Sequence, residues 1–497
     1  MDMIAGVLYG FKVALQPDNL LFCFIGCVLG TFLGVLPAIG PVTGIVLLIP
    51  LSYHMGPTAA IIMFAGIYYG VQYGGTITSI LLNIPGEVAT IVTCIDGYQM
   101  ARQGRAGPAL GISCMGSFIA GTLCICGTIL FSVPLAKFAL RFGPPEYSSL
   151  ICMGFIMISY LASGSMLKAI ISALLGMFIS TIGMDSLTGV NRFTVGNINL
   201  TEGVGLVTLG IGIFGISEII LNIEEAVPIE IYKTRVKNLL PSRQDWRDSI
   251  GPILRGTGLG FFLGVLPGGG PLLSTFTSYA VEKKISKTPE KFGTGMIQGV
   301  AGPESANNAG AQSGFIPLLA LGIPTNVITA ILLGALMLHG ITPGPFLIRD
   351  HPDVFWGLIT SMYIGNLMLV VLNLPLVGLW VRTLKVPQHI LYPVILIVTM
   401  IGVYAYRNSV FDIYLMIFFG ILGYFLRKFK FEVAPLTLAF VLGDIFEEAM
   451  KQSLRMSNGN FSIFISRPIS AFFISISLIL ILKSILPFFR KKGGGLQ

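Results

Sequence analysis

Phe32-Leu-Gly-Val-Leu-Pro37 occurs a second time, letter for letter, as Phe262-Leu-Gly-Val-Leu-Pro267. Each copy is followed three residues later by a Gly-Pro pair, at Gly40-Pro41 and at Gly270-Pro271, and each lies inside a long apolar stretch. The same Gly/Pro interruption in two hydrophobic segments indicates two related halves that each break a membrane helix. Paired interruptions of this kind are the best sequence-level indication of a transporter binding site.

The composition of the chain is that of a membrane protein. Its 497 residues are 54% hydrophobic and only 11% charged, with a mean hydropathy of +0.83, whereas a soluble domain carries about 25% charged residues. Lipid must therefore supply much of its surroundings. Because a helix needs about 20 apolar residues to cross the hydrocarbon core, the apolar runs predict an all-α polytopic membrane protein with roughly 10–12 spans.

The net charge of +8 does not indicate nucleic-acid binding, and no nucleic-acid partner is expected. Basic residues instead cluster in short gaps between apolar runs, which is the pattern of cytoplasmic loops beside the lipid bilayer. We therefore predict a cytoplasmic C-terminus and a cytoplasmic linker between the halves. The clusters are Arg102 and Arg105; Lys283, Lys284, Lys287 and Lys291; Arg427, Lys428 and Lys430; and Arg490, Lys491 and Lys492.

Cysteine and histidine give no sign of a resident metal. The seven Cys all lie between Cys23 and Cys152, mostly in apolar runs, where they are typical of small buried hydrophobic residues. The four His are scattered along the chain without metal-ligand spacing. We expect no cofactor and no structural metal, and Na⁺ only as an ion that drives transport.

The chain divides into five predicted segments. The linker is assigned to the most polar internal stretch, which separates the two copies of the motif. The segments are an N-terminal interfacial segment at 1–19, a first membrane repeat at 20–225, a cytoplasmic linker at 226–252, a second membrane repeat at 253–450, and a C-terminal membrane helix with a basic tail at 451–497.

Further matches in the same order extend the repeat: Gly75 with Gly314, Ile84-Pro85 with Ile323-Pro324, and Gly107-Pro108 with Gly344-Pro345. Whether such halves are parallel or inverted depends on whether each contains an even or an odd number of crossings. We favour inverted halves with broken or re-entrant helices. The open backbone of such helices must be shielded by protein or by a watery cavity.

The Gly-Pro breaks are candidates for an anion site. Proline is favoured at the first position of a helix, so helices beginning at Pro41, Pro271 or Pro303 would leave N–H groups and a positive dipole end facing the break. The alternative is a kink that serves packing alone. The candidate substrate-binding residues in the two breaks are Pro37, Gly40, Pro41, Thr43, Gly268, Gly269, Gly270, Pro271 and Ser274.

The most polar segment of the second half is Gly302-Pro-Glu-Ser-Ala-Asn-Asn308. Glu304, Asn308 and Gln312 recur at intervals of four residues and share one helical face. Amides and N–H groups suit a carboxylate substrate and oxygens suit a coupling cation, while the alternative is an interhelical hydrogen-bond network. We assign Asn307, Asn308, Gln312, Ser313, Thr325 and Asn326 to the substrate, and Glu304 and Ser305 to the coupling ion.

A different polar stripe lies in the first half. Gln72, Thr76, Ser79 and Asn83 recur at helical spacing on one face, whereas the aligned positions of the second half are mostly apolar. Gln72 and Thr76 are candidates for the substrate, and Ser79, Asn83 and the isolated Asp96 are candidates for a coupling cation. Helix packing through small polar residues is an equally good interpretation of this stripe.

The sequence carries no enzyme signature. It contains no Gly-x-Ser-x-Gly elbow, no phosphate-binding Gly-x-x-x-x-Gly-Lys-Ser/Thr loop and no His-Glu-x-x-His motif. We therefore predict a transporter that is not an enzyme and that draws on an ion gradient or on a partner. A channel, or a membrane scaffold subunit of a larger assembly, is the alternative function.

Three of these segments resemble a known family. Gly34-Val-Leu-Pro37 with Gly40-Pro41, Gly302-Pro-Glu-Ser-Ala-Asn-Asn308 and Leu321-Gly-Ile-Pro324 are similar to the large membrane subunit of the tripartite tricarboxylate transporters, the TctA family. The resemblance extends from about residue 20 to about residue 450. The chain departs from the family's small residues after Ile-Pro at Thr325-Asn326, so citrate is not carried over as the substrate.

The resemblance implies a function and a set of partners. It implies a secondary active transporter, a symporter of the bacterial cell inner membrane, that takes up an organic di- or tricarboxylate with Na⁺ or H⁺ as coupling ion. It further implies a small TctB-like membrane subunit and a periplasmic TctC-like solute-binding protein that delivers the carboxylate.

Overall fold

The computed structural model describes residues 2–36, 40–161, 165–185, 187–225, 239–383 and 388–492. Within these ranges the fold is almost entirely helical, which confirms the predicted all-α class. The helices are α1 Met3–Ala14, α2 Pro17–Val35, α3 Pro41–Ser52, α4 Pro57–Leu82, α5 Ile91–Arg102, α6 Ala106–Ala139, α7 Pro144–Leu161, α8 Met166–Ser180, α9 Leu206–Gly210, α10 Ser217–Glu225, α11 Arg243–Gly264, α12 Gly270–Ile285, α13 Gln298–Ser313, α14 Phe315–Leu321, α15 Val327–Leu338, α16 Leu347–Asp350, α17 Pro352–Asn373, α18 Val377–Thr383, α19 Gln388–Arg407, α20 Val410–Lys428, α21 Val433–Met456, α22 Ile463–Ser466 and α23 Pro468–Lys492.

Shorter elements connect these helices. The strands β1 Gly183–Met184 and β2 Asn191–Arg192 pair antiparallel in one small hairpin. A π-helical segment, Ile211–Ile216, joins α9 to α10 in one continuous run. Single 3₁₀ turns lie at Val88–Thr90, Ile198–Leu200 and Pro289–Lys291.

Six helical segments of the described chain are long and apolar enough to cross a membrane, which confirms a polytopic membrane protein. Further apolar helices are only 10–17 residues long, and two of them, α3 and α15, begin at a break. The predicted total of roughly 10–12 spans and the five segment boundaries stay predictions. The six segments are Pro17–Val35, Ala106–Ala139, Leu206–Glu224, Pro352–Asn373, Ile390–Arg407 and Val410–Lys428.

Helices start at both Gly-Pro pairs, as the sequence predicts. α3 begins at Pro41, and α12 begins at Gly270 with Pro271 in its first turn. Pro37 lies outside the described residues. The helix pairs on either side of the two breaks, α2 with α3 and α11 with α12, are called the first and the second hairpin; residues 37–39 of the first break lie outside the described residues.

The prediction of a helix start at Pro303 is wrong. Pro303 lies inside α13, which already begins at Gln298. A proline is tolerated within a buried membrane helix where neighbouring elements pack around it and satisfy the backbone that it opens. Pro303 is fully buried in this way, so its segment does not expose a row of free N–H groups.

Glycines bring the backbone of each hairpin against a neighbouring helix. In the first half, Gly26, Gly30 and Gly34 on α2 pack against the backbone of α4. A Cβ added at any of the three would overlap a carbonyl oxygen of α4, so only glycine permits this approach. The oxygens belong to Met63, Ile67 and Val71.

The second half repeats this contact. Gly256, Gly260 and Gly264 on α11 pack in the same manner against α13, over the carbonyl oxygens of Gly302, Ala306 and Gly310. These residues are the ones that the Phe-Leu-Gly-Val-Leu-Pro and Ile-Pro matches align with the contact residues of the first half. The matching contacts support the predicted repeat, which stays a prediction together with its inversion.

A polar cluster attaches the loop between α8 and α9 to α21. The Nζ atom of Lys451 lies 2.5 Å from Asp185 Oδ2 and 2.6 Å from Glu447 Oε1. Arg192, at the end of β2, pairs with the same two carboxylates. The two cations and two anions neutralise one another, and these ion pairs attach the hairpin of β1 and β2 to α21. The cluster borders a cavity of about 380 Å³.

The glycine contacts predict a position-specific response to added side chains. We expect Gly260→Ala to destabilise the protein by about 1–3 kcal/mol, because the new methyl group must displace α13. Gly258→Ala on the same helix is the matched control, since open space surrounds that position, and it should be neutral or slightly stabilising. Thermal unfolding of the purified protein tests both, and equal effects would contradict the packing account.

The polar cluster predicts a pH-dependent stability. Lys451, with the N–H groups of Leu187 and Thr188, holds the pKa of Asp185 well below its usual range. A carboxyl whose pKa is lowered on folding contributes stability above its unfolded pKa of about 4, and this contribution is lost as the pH falls. We therefore expect Asp185→Asn to lower the unfolding temperature at pH 7.

The difference between Asp185→Asn and the wild type should shrink progressively below about pH 4. Unfolding temperatures measured from pH 7 to pH 3 test this, with Glu448→Gln, an exposed carboxylate on α21, as the control. A difference that stays constant over the whole range would show that Asp185 does not act through its charge.

Candidate functional site

Glu304 occupies a fully buried position on α13, where α13 meets α4 and α5. The hydroxyl of Thr76 on α4 donates to Glu304 Oε2 at 2.7 Å, and the hydroxyl of Thr93 on α5 donates to Oε1. The side chain is 1% exposed. Both carboxyl oxygens therefore accept hydrogen bonds from neutral groups, one from each part of the broken helix pair α4–α5.

Asn307 and Asn308 extend the cluster from the next turn of α13. The amide of Asn308 donates to Ser117 Oγ on α6 at 2.7 Å, and the amide of Asn307 donates to Glu87 Oε1 at 2.9 Å. Both side chains are fully buried, and the Oδ1 atom of each has no hydrogen-bond partner in the described part of the chain.

Two glutamines contribute further unpaired amide atoms. Gln72 on α4 is fully buried, and neither its oxygen nor its nitrogen has a partner among the described residues. Gln312, two turns after Glu304 on α13, also leaves its Oε1 unpaired there. A buried polar atom without a partner costs about 1–3 kcal/mol. Four such amides on α4 and α13, the two helices joined by the contact of Thr76 with Glu304, indicate a place that takes up an ion, a water or a polar ligand.

The break of the second half is held together by its own backbone. The N–H of Gly268 donates to the carbonyl oxygen of Thr325 at 2.8 Å, which joins the α11–α12 tip to the α14–α15 break. Asn326 caps α15 by accepting from the N–H of Thr329 at 3.0 Å. Its amide also donates to the hydroxyl of Tyr68 on α4 at 3.1 Å.

The break of the first half has the same local design with a different side chain. Glu87 forms a capping box with Thr90, as Asn326 does with Thr329. The Ile-Pro match aligns Glu87 with Asn326, and the same alignment pairs Tyr68 with Asn307. The contact of Glu87 with Asn307 and that of Asn326 with Tyr68 are thus equivalent.

Sequence reasoning missed Glu87 as a site residue. The signal was available, because Glu87 is the residue that the repeat aligns with Asn326, a residue assigned to the site. It was overlooked because it follows the Ile-Pro-Gly turn instead of lying on the polar helical stripe. Thr93, the second hydroxyl on Glu304, was missed because it lies on the short helix α5, outside both predicted polar stripes.

Several predicted site residues bond to helix backbone. The hydroxyls of Ser79, Ser274 and Ser305 each donate to the carbonyl of the residue four positions earlier, and that of Ser313 donates to Gly260 O at 3.4 Å. These contacts favour helix packing for the four serines. Their predicted binding roles stay predictions.

The remaining candidates lie around the breaks. Gly40 is the N-cap of α3, with Pro41 first in the helix and Thr43 buried one turn on. Asn83 is the exposed left-handed cap at the end of α4. Gly269 donates its N–H to Leu266 O at 2.9 Å.

Asp96 is fully engaged as an anchor. Its Oδ1 accepts from the N–H groups of Gly293, Gly295 and Met296 at 2.8–2.9 Å, and the hydroxyl of Tyr279 donates to its Oδ2 at 2.9 Å. The carboxylate thereby ties α5 to the loop that precedes α13. This geometry favours a structural role over the predicted coupling role, which stays a prediction.

Removal of the Asp96 acceptor should destabilise the fold. Asp96→Ala leaves three half-buried N–H groups without their acceptor. Because an unpaired buried donor costs about 1–3 kcal/mol, we expect a fall of several degrees in the unfolding temperature. Asp96→Asn keeps one oxygen acceptor and should recover most of the loss. If Asp96→Ala left stability unchanged but altered ion dependence, the structural role would be contradicted.

The described helices define a polytopic membrane protein with broken helices and a buried polar core that holds a carboxylate and four amides. Comparison with known families then gives a direct assignment. The profile of the tripartite tricarboxylate transporter TctA family matches residues 20–438, and the chain belongs to that family. It is therefore a membrane transport protein, consistent with the expected lack of enzymatic activity.

Two relatives from Agrobacterium vitis are similar to this chain. One is called an uncharacterized 52.8 kDa protein in the TAR-I ttuC' 3'region, and it is 48% identical over 492 residues, covering 99% of this chain and 98% of the relative. The other, an uncharacterized protein in the TAR-II ttuC' 3'region, is 52% identical over 233 residues, covering 47% of this chain and 96% of its own length. No solved structure matches the chain.

Proposed function

We propose that this chain is the large permease subunit of a binding-protein-dependent tripartite system that imports an organic di- or tricarboxylate across the bacterial inner membrane, driven by an ion gradient. The observation that carries the proposal is the set of buried, unpaired amides beside Glu304. Membership of the family supports the class of substrate.

The chemistry of this core suits a carboxylate. Amide nitrogens such as that of Gln72 donate hydrogen bonds to a carboxylate, and hydrogen bonds to a charged acceptor are stronger than those between neutral groups. Among the described residues no side chain caps the start of α3 at Gly40, so the first N–H groups and the positive dipole end of this helix add to the attraction for an anion.

The same core suits a coupling cation. Glu304 is buried, and the hydroxyls of Thr76 and Thr93 that bond to its carboxyl are neutral. A carboxylate inside a membrane protein needs a positive charge or a proton to balance it. We propose that Na⁺ or H⁺ supplies this balance during each transport cycle and that Ser305 helps to order the site.

We further propose that the halves form an inverted repeat. Two contacts show that α6 and α17 run antiparallel. Asn366 on α17 bonds to Phe118 on α6, whereas Tyr363, which comes one turn before Asn366, contacts Cys126, which comes two turns after Phe118. These two helices therefore start at opposite ends of the bundle.

The two hairpins are associated with these opposite ends. The hydroxyl of Thr58, at the start of α4, donates to Asp353 at the start of α17 (2.8 Å), so α4 and α17 start at the same end of the bundle. Within the first hairpin, α2 runs parallel to α4. Arg105, at the start of α6, pairs with Asp245 at the start of α11 (2.6 Å). Hairpins that enter from opposite sides are the expected arrangement for an inverted repeat.

The partners are proposed from the family alone. A tripartite system contains a small membrane subunit and a periplasmic solute-binding protein in addition to the large permease. Reconstitution of the proposed system therefore uses all three components.

Uptake measurements test the proposed function. The chain and its two partners are reconstituted in liposomes, and uptake of labelled tartrate, citrate, malonate and succinate is measured under Na⁺ and H⁺ gradients. We expect Glu304→Gln and Asn308→Ala to reduce uptake roughly tenfold or more, because each removes a buried polar contact worth about 1.5–3 kcal/mol near charge. Glu224→Gln, at an exposed ion pair with Lys428, is the control.

Two outcomes would contradict the proposal. Undiminished uptake with unchanged ion dependence in both variants would remove the assigned roles of Glu304 and Asn308. Conduction that does not saturate with substrate, and that needs neither gradient nor binding protein, would favour the channel instead.

A further inference from the structure

Glu87 is a second carboxylate in the polar core, and the function proposed above does not use it. It lies at the break between α4 and α5, half-buried, with its Oε1 bonded to the amide of Asn307. Asn307 is one turn from Glu304 on α13. The two halves of the protein therefore each contribute one carboxylate to the same core.

Glu87 bonds to Asn307, which lies one turn from Glu304 on α13, so both carboxylates belong to the same polar core. Like charges in a poorly solvated region repel strongly, and both cannot stay ionised unless a cation lies between or beside them. A carboxylate substrate that enters this core brings further negative charge. The core with Glu87 and Glu304 both charged therefore rejects an anion until a positive charge has been bound.

The contact between Glu87 and Asn307 suits a metal cation better than a proton. A proton bound to Glu87 leaves the Oδ1 atom of Asn307 without a partner among the described residues. A hard cation takes several oxygen ligands at once, with amide carbonyl oxygens among them. The fully buried Asn307, which already contacts Glu87, can offer its unpaired oxygen through a turn of the amide.

The equivalent position of the second half carries no charge. There the cap residue is Asn326, which donates to the hydroxyl of Tyr68. An amide that donates and a neighbouring hydroxyl favour an anion, whereas a carboxylate and an unpaired amide oxygen favour a cation. The two related breaks thus differ in the sign of the ligand that they suit.

We propose that Glu87 and Asn307 hold a monovalent metal cation at the first break, and that this cation must bind before the carboxylate substrate can occupy the core beside Asn326. The proposal rests on the proposed function in one respect, which is that the same core binds a carboxylate. It adds a residue, a ligand and an order of binding.

The competing explanation is that Glu87 only caps the 3₁₀ turn Val88–Thr90 that precedes α5. A capping side chain accepts a hydrogen bond from the start of the helix, and this needs an oxygen but not a charge. Glu87→Gln keeps an oxygen acceptor of the same size and removes the charge. The substitution therefore separates the two explanations, whereas Glu87→Ala would remove both the cap and the charge.

The first experiment measures cation binding without any substrate. Thermal unfolding of the purified full chain is compared in NaCl and in N-methylglucamine chloride at equal ionic strength. We expect Na⁺ to raise the unfolding temperature of the wild type by several degrees in a saturable manner. Glu87→Gln and Asn307→Ala should lose this shift, and the control Glu224→Gln should keep it.

Either of two results would overturn the cation site. One is a full Na⁺ shift in Glu87→Gln, which would leave capping as the role of Glu87. The other is a wild-type protein that responds to pH but not to Na⁺, which would assign the charge balance to a proton. Asn307→Ala can lower the unfolding temperature equally in both salts through loss of packing. The test then rests on Glu87→Gln, which keeps the capping oxygen and removes only the charge.

The second experiment separates this proposal from the proposed function. Uptake of a transported carboxylate is measured against Na⁺ concentration in the reconstituted system. We expect the half-saturating substrate concentration of the wild type to fall at least fivefold with Na⁺, and that of Glu87→Gln to be independent of Na⁺. Uptake with wild-type Na⁺ dependence in Glu87→Gln would overturn the cation site and leave the transport function intact. A Glu87-dependent Na⁺ shift without carboxylate uptake would overturn the transport function alone.

Discussion

Broken helices impose the constraint on which the rest of this structure depends. Within a membrane, an N–H or carbonyl group without a partner is costly, because lipid offers no hydrogen bonds. Each break must therefore be closed by the protein. At the second break the N–H of Gly268 meets Thr325 O, while Thr329 and Asn326 satisfy the start of α15. The buried amides that remain unpaired beside Glu304 are conspicuous against this background.

Close backbone packing is what keeps the breaks next to one another. Three glycines on each hairpin let the backbone approach a neighbouring helix, where added side chains would overlap carbonyl oxygens. Small residues at such interfaces are the usual means by which membrane helices associate, since lipid gives no hydrophobic drive for helices to pack. Here they serve position as well as association, because α4 and α13 carry Thr76 and Glu304 on the sides that meet.

Much of the architecture could be predicted from the sequence, because it depends on local patterns. The duplicated motif located the helix starts at Pro41 and Gly270, and the spacing of Glu304, Asn308 and Gln312 placed them on one helical face. What could not be predicted depends on contacts between distant segments. Asp96 is an example, because the N–H groups that donate to its carboxylate lie almost 200 residues later in the chain.

The errors of sequence reasoning have the same origin. Gly302-Pro303 has the same local sequence as a helix start, yet burial within the bundle keeps the helix continuous through it. Glu87 follows a turn and belongs to no periodic stripe, so the helical spacing does not reveal it, although the repeat aligns it with Asn326 and the structure places it against Asn307. Composition predicts a membrane protein from its apolar residues, but it does not tell whether a short apolar helix crosses the membrane or turns back at a break.

The glycine contacts have a mechanical consequence. A helix whose backbone rests in the groove of another cannot slide along it without lifting carbonyl oxygens over Cα atoms. The first hairpin with α4, and the second hairpin with α13, therefore each behave as a stiff block. These glycine contacts resist displacement within each block, not across the seam between the two blocks. Polar contacts such as those of Glu87 with Asn307 and of Tyr68 with Asn326 cross this seam and can break and reform at small cost.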